Sequence, residues 1–266
     1  TDDHSRDSAG LQYVYPVVSR RAGGVSVGIN LNPNNACNWA CLYCQVENLS
    51  RGGPPPIDLL RLENELNAFL DDVLNGEFLR HHVPADARRL VDVAFSGNGE
   101  PTSAAEFAEA VVAVARILGL FGLKGSLPVR LITNGSLLHR SDVQNGIRHI
   151  AALGGEVWFK IDRALDAEVT EINGIPGNQA KVLANLRSCV ALAPTWVQTC
   201  WFRLDGMPPT AKSRNAYCAL LSEVADKLAG VHLYGLARPS QQLAAPRLSA
   251  ISPDELYAFG DRKSVV

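Results

Sequence analysis

The chain has 266 residues, 47% of them apolar and 20% charged, and its 25 basic and 27 acidic side chains give a formal net charge of −2. This is a globular balance that excludes intrinsic disorder and leaves length for one large α/β domain or two small ones. It offers no basic footprint for nucleic acid, because Arg20–Arg21, Arg88–Arg89 and 212–214 are short enough for any solvated surface and only a patch assembled in three dimensions would change that.

The first ten residues are polar, lack the marks of a signal peptide, and read as a tail. No run of eighteen apolar residues follows, so no transmembrane helix is expected and the expected location is the cytoplasm. Residues 25–31 predict a first strand that leads directly into a cysteine-bearing loop. The connector 51–56 holds two glycines and three prolines and is stiff. Leu59, Leu62, Leu66, Phe69, Leu70 and Val73 recur at helical spacing and predict one long helix over 58–79. A buried strand is predicted at 90–95, ending in Ser96-Gly97-Asn98-Gly99-Glu100-Pro101-Thr102. Ser103 then reads as the cap of a helix to about residue 120, with Glu106 at the capping-box position.

The alternation continues with a strand at 129–133 ending in Asn134-Gly135-Ser136, a helix within 141–153, a strand at 156–161 and a helix at 178–193. A fifth strand (195–204), a helix (212–228), a sixth strand (231–237) and a helix at 253–259 capped by Ser252 complete the pattern. Six strands each followed by a helix predict a parallel sheet closed or partly closed into a barrel, with the chemistry at the carboxyl ends of the strands. The polar motifs fall at the ends of the first four.

Cys37, Cys41 and Cys44 form a CxxxCxxC spacing in Cys-Asn-Trp-Ala-Cys-Leu-Tyr-Cys. Positions i, i+4 and i+7 also share a helix face, but Pro33, Asn34, Asn35 and Asn38 make this a loop. A structural zinc site would need a distant fourth ligand such as Cys189 or His139. Disulfides are not expected of a chain without a secretion signal. Three thiolates suit an iron–sulfur cluster with one iron left open. Lys160 and Asp162 flank Ile161 and share one face of the fourth strand; turned inward they need a partner or a ligand, and turned outward they are a strand-end ion pair. Arg203 ends the fifth strand, as a carboxylate-binding group or as a surface arginine.

On these motifs the chain resembles the radical S-adenosylmethionine (radical SAM) superfamily over roughly residues 25–239. Within it, the chain looks most like the group related to wyosine-forming tRNA enzymes. Pro16-Val17-Val18-Ser19-Arg20-Arg21, Gly28-Ile29-Asn30-Leu31, Tyr43-Cys44-Gln45-Val46, the Gly97–Glu100 segment, Ile132-Thr133-Asn134-Gly135-Ser136 and Phe159-Lys160-Ile161-Asp162 carry the likeness. The resemblance implies a partial TIM barrel and a single [4Fe–4S] cluster on Cys37, Cys41 and Cys44. S-adenosylmethionine would chelate the open iron, contacted by Tyr43, Gly97, Asn98, Gly99, Glu100, Asn134 and Ser136.

It further implies that the reduced cluster cleaves the sulfonium to methionine and a 5′-deoxyadenosyl radical, which takes hydrogen from a substrate. Lys160, Asp162 and Arg203 would act on that substrate, and a flavodoxin or ferredoxin would supply the electron. A small molecule is the favoured substrate, with a wyosine-like tRNA base as the alternative. A cluster- or zinc-binding regulatory protein without turnover is the reading from a different class. Cys189, Cys200 and Cys218 have no metal-ligand spacing and are expected to be buried structural thiols. The expected division is a lead-in (1–24), the barrel (25–240) and a helical extension (241–266), whose polar end at 260–266 reads as truncated.

Overall fold

A computed structural model describes residues 10–19 and 23–260; Arg20, Arg21 and most of the predicted tail lie outside the described residues. In chain order the strands are β1 (Val14–Ser19), β2 (Gly24–Ile29), β3 (Ala36–Cys37), β4 (Ser50–Arg51), β5 (Leu90–Phe95), β6 (Val129–Thr133), β7 (Glu156–Lys160), β8 (Thr195–Leu204), β9 (Gly230–Gly235) and β10 (Leu248–Ala250). The helices are α1 (Leu59–Asn75), α2 (Phe78–His82), α3 (Phe107–Leu120), α4 (Ser141–Ala152), α5 (Asp166–Asn173), α6 (Gln179–Val190), α7 (Ala211–Ser222) and α8 (Pro253–Gly260). No helix among the described residues is long and apolar enough to cross a membrane.

Strands β2, β5, β6, β7, β8 and β9 pair in that order, all parallel, as the alternating sequence pattern predicts. The outer strands β1 and β10 add antiparallel to β2 and to the far end of β8. The fold is α/β, an open, partial TIM barrel. Alternation fixes which face each residue takes. Val27, Ile29, Val93, Phe95, Val129, Leu131, Val157, Phe159 and Val197 are buried in one apolar core with the inward faces of α1, α3 and α4. The opposite face carries a polar and aromatic layer near the amino ends of the strands. There Arg130 bridges Asp92 and Glu156, while the indoles of Trp158 and Trp196 donate to the Glu156 carboxylate at 3.0 and 2.9 Å. His232 stacks on Trp196 with ring centres 4.5 Å apart. This layer floors the barrel and leaves its carboxyl end open.

Several local expectations are corrected. The helix predicted over 58–79 breaks at Gly76 into α1 and α2, because extended backbone at Gly76 ends the helix (φ −99°, ψ −153°). Ser103 does not cap α3. Its hydroxyl donates to the Glu100 carbonyl at 2.6 Å within a single 3-10 turn, α3 starts at Phe107, and Glu106 instead accepts the Ile57 amide at 3.2 Å. Ser252 does cap α8, its oxygen taking the Glu255 amide while the Glu255 carboxylate takes the Ser252 amide. β1 lies within the stretch read as a lead-in.

β1 is tied to α1 by a buried carboxylate: Glu65, 8% exposed, accepts from the amides of Gln12, Tyr13 and Val14 and from Arg61. Removing it strands several buried donors, so Glu65→Ala is expected to cost about 2–4 kcal/mol. Urea unfolding followed by circular dichroism checks this; an unchanged midpoint would show that β1 is anchored otherwise.

Candidate active site

At the carboxyl ends of the parallel strands lies a cavity of about 620 Å³. Residues of β1 (Val17, Val18) and residues just beyond β9 (Leu236, Arg238) line it together, so the two sides of the open sheet curl around one space. Cys37, Cys41 and Cys44 all open onto it, joined by Tyr43, Gly97, Asn98, Gly99, Glu100, Asn134 and Lys160. Ser136, Asp162 and Arg203 do not line it.

The cysteine loop is held from four directions. Cys37 pairs with Arg51 in the β3–β4 ladder. Asn38 accepts from the Asn134 amide at 2.8 Å and donates to the Ser136 hydroxyl at 2.9 Å, clamping the loop to the end of β6. The Ala40 and Leu42 amides donate to the carbonyls of Asn173 and Ile172 in α5. Finally, the segment after β9 grips the end of the loop: Ser240 Oγ donates to the Leu42 carbonyl at 2.6 Å, the Gln241 amide to that of Cys44 at 2.9 Å, and Gln242 Nε2 to that of Val46 at 2.8 Å. The boundary expected at residue 240 falls inside this clasp.

The glycine-rich segment is pressed against the start of the same loop. Gly97 sits at φ +138°, and a Cβ there would come within 2.4 Å of Asn30 Oδ1; a Cβ on Gly99 would meet the Ala36 carbonyl at 2.1 Å. Only glycine permits this approach. Asn98 donates to Asn35 at 2.7 Å. Glu100 is 2% exposed, and its carboxylate already accepts from Thr102, from the Thr133 hydroxyl at 2.6 Å and from the Asn134 amide at 2.7 Å. Burial nevertheless pushes its pKa up, against those hydrogen bonds. Its carboxylate oxygens therefore knit β5 to β6.

Lys160 and Asp162 come together, with Nζ–Oδ1 at 3.7 Å. Asp162 is 2% exposed and turns toward the cysteine loop, accepting from the Tyr43 hydroxyl, the Asn173 amide at 3.1 Å and the Cys200 amide at 2.9 Å. Lys160 turns to the cavity between the rings of Tyr43 and Tyr234 and donates to the Tyr234 hydroxyl at 3.0 Å. Burial works most strongly against its ammonium, but Asp162, Tyr234 and Cys200 together outweigh it and hold the pKa above the usual lysine value. Arg203 takes the outward of its two expected readings and does not line the cavity. Its guanidinium reaches away from the cavity to Glu255 of α8 at 2.5 Å, because β8 runs past the cavity floor to pair with β10. Ser136 lines an adjoining groove, not the main cavity.

Tyr234, Arg238, Asn173 and Cys200 are site residues that motif reading missed. Cys189 and Cys200 are buried as expected, with Cys200 also bordering the cavity, whereas Cys218 is only half-buried. Asn173 Nδ2 also reaches Cys41 Sγ at 3.3 Å, and the Trp39 amide reaches Cys37 Sγ at 3.4 Å. Such N–H···S contacts favour thiolate ligands and tune a bound cluster.

Among the described residues no group of three or more His, Cys, Asp or Glu side chains forms a metal site. Three cysteines of one loop line the cavity, and two of their sulfurs accept N–H donors, a thiolate donor set that fits an iron–sulfur cluster with one open iron.

No family model matches the chain. Among curated relatives it is 29% identical over 160 residues to UPF0026 protein MJ1312 of Methanocaldococcus jannaschii, covering 59% of this chain and 42% of that one. It is 25% identical over 132 residues to the GTPase Obg of Brachyspira hyodysenteriae, covering 50% of this chain and 17% of that one. The chain thus spans less than half the length of either. It contains no Gly-Lys pair, hence no GxxxxGK phosphate loop.

In fold it is similar to a radical SAM methyltransferase of Sphaerobacter thermophilus, with a TM-score of 0.59 and 16% identity over 92% of this chain and 64% of that one. It is also similar to SuiB of Streptococcus suis bound to S-adenosylmethionine, with a TM-score of 0.57 and 9% identity over 90% and 48%. At these identities the likeness is one of fold: the chain has the partial barrel found in radical SAM enzymes.

Burial pushes Cys37 up to about 11, against the lowering effect of the Trp39 amide, and Cys41 up to about 12, with Asp162 adding to it. Both thiols therefore hold protons at neutral pH, and metal must displace them. Iron loading of the metal-free protein is expected to strengthen as pH rises from about 6.5 to 8.5. Iron uptake at fixed total iron checks this, and a flat profile would contradict it.

Proposed function

We propose that this chain is a radical SAM enzyme that cleaves S-adenosylmethionine reductively and takes hydrogen from a small-molecule substrate. One observation carries the reading: the three thiols of a CxxxCxxC loop open together onto a single cavity at the carboxyl ends of a parallel partial barrel. Cys37, Cys41 and Cys44 would hold a [4Fe–4S] cluster that would supply one-electron reduction of the cofactor's carbon–sulfur bond, and the radical chemistry would be the cofactor's.

The chain's own residues hold, aim and shield. Gly97 and Gly99 bring backbone amides and carbonyls to the cavity wall, where the amino-acid end of the cofactor needs them. Asn134 presents its side chain between the glycine-rich segment and the cysteine loop. Tyr43, fixed through Asp162, sets a ring beside the cluster loop. Val17, Val18, Val46, Leu49 and Leu236 give the remaining wall an apolar surface that excludes water. A flavodoxin or ferredoxin is the proposed electron donor, and the net charge of −2 favours a small molecule over a tRNA base.

The test is anaerobic reconstitution with iron and sulfide, reduction with dithionite, and quantification of 5′-deoxyadenosine from added S-adenosylmethionine. Wild type is expected to form it and Cys41→Ala not to. Gly99→Ala, whose Cβ would collide with the Ala36 carbonyl, is expected to lose at least about tenfold of the rate. A wild-type protein that loads its cluster yet leaves the cofactor intact would overturn the reading.

A further inference from the structure

The cavity is chemically lopsided. Two cations line it, Lys160 and Arg238, against one carboxylate, Glu100, whose oxygens are already taken by Thr102, Thr133 and Asn134. Lys160 has Asp162 behind it at 3.7 Å. Arg238, exposed at the mouth, has no carboxylate partner among the described residues and so is the uncompensated charge of the cavity.

The hydrogen-bond inventory leans the same way. Lys160 has donors only, and the Tyr234 hydroxyl accepts one of them, which leaves the phenolic hydrogen of Tyr234 available as a second donor. An arginine guanidinium offers five N–H groups and no acceptor. These three residues come from β7 and from the end of β9. The glycine-rich segment and Asn134 come from the ends of β5 and β6, the strands that precede β7 in the sheet. The same cavity has apolar lining from Val17, Val18 and Leu236.

We propose that this half of the cavity is an oxyanion site for the substrate. Lys160 and Tyr234 at the floor and Arg238 at the mouth hold a carboxylate or phosphate of a small molecule whose body is apolar. The inference rests on the radical SAM reading for its division of the cavity. A bidentate Arg–oxyanion pair sets orientation as well as affinity, so the anion fixes which carbon faces the cofactor.

Isothermal titration calorimetry on the cluster-loaded, S-adenosylmethionine-saturated protein without reductant tests this with four eight-carbon probes: octanoate, octyl phosphate, octanol and octylammonium. At least one anionic probe is expected to bind about tenfold or more tighter than octanol and octylammonium, and the stronger of the two identifies the headgroup. Arg238→Gln is expected to weaken that probe about tenfold and Tyr234→Phe several-fold, with Arg238→Lys recovering part of the loss.

Equal binding of all four probes, no binding, or an unchanged Arg238→Gln variant would overturn the proposal. So would an Arg238→Gln variant that weakens S-adenosylmethionine by the same factor, since Arg238 would then serve the cofactor. Binding is read without turnover, so its failure is separate from a failure to form 5′-deoxyadenosine. Arg238-dependent octanoate binding with an intact cofactor under reduction would sink the radical reading and leave the anion site standing.

Discussion

The buried carboxylate of Asp162 is the interaction on which the site depends. Removing such a group from water costs several kcal/mol unless every lone pair finds a partner. Here the partners come from four places: Tyr43 in the cysteine loop, Asn173 at the end of α5, the Cys200 amide in β8, and the Lys160 ammonium of β7. Two of them reach further. Asn173 touches Cys41 Sγ as well, and Lys160 faces the cavity. One charge therefore links the placement of the Cys41 thiol, the Tyr43 ring and the cation that faces the cavity.

Glu100 does the corresponding job on the other side, joining β5, the following 3-10 turn and β6. Both carboxylates stand where a ligand-binding role is the natural reading of the sequence. In the folded chain their oxygens are engaged by the protein itself, and the groups left to face a ligand are backbone, amides and rings beside them. The barrel thus spends its buried charge on rigidity, which suits chemistry that must keep a reactive intermediate away from water and from the wrong carbon.

The parallel barrel was legible because β2, β5 and β7 carry apolar residues on the face that meets the helices, and β6 and β8 interrupt that pattern only with threonines. The cysteine spacing, the glycine segment and the Asn134 turn were legible as local motifs, and all three reach one cavity. What escaped was tertiary. Helix α5 has eight residues and little periodicity, so neither it nor Asn173 announced itself. Tyr234 and Arg238 are unremarkable in their own stretch and acquire meaning only when β9 closes toward β1. Arg203 takes the outward of its two readings because β10 and Glu255 of α8 engage the end of β8, a pairing that the strand's own sequence does not announce. Cys200 read as structural because nothing in its neighbourhood reveals that its turn of strand meets Tyr43 and Asp162.

The central claim is that three thiols leave one iron of a cluster open to S-adenosylmethionine. Electron paramagnetic resonance of the anaerobically reconstituted, dithionite-reduced protein tests it most directly, recorded with and without the cofactor. The account predicts a reduced [4Fe–4S] signal whose g-values shift when S-adenosylmethionine is added, and which persists in Cys200→Ala. A signal indifferent to the cofactor, or a protein that holds zinc in place of iron, would contradict it.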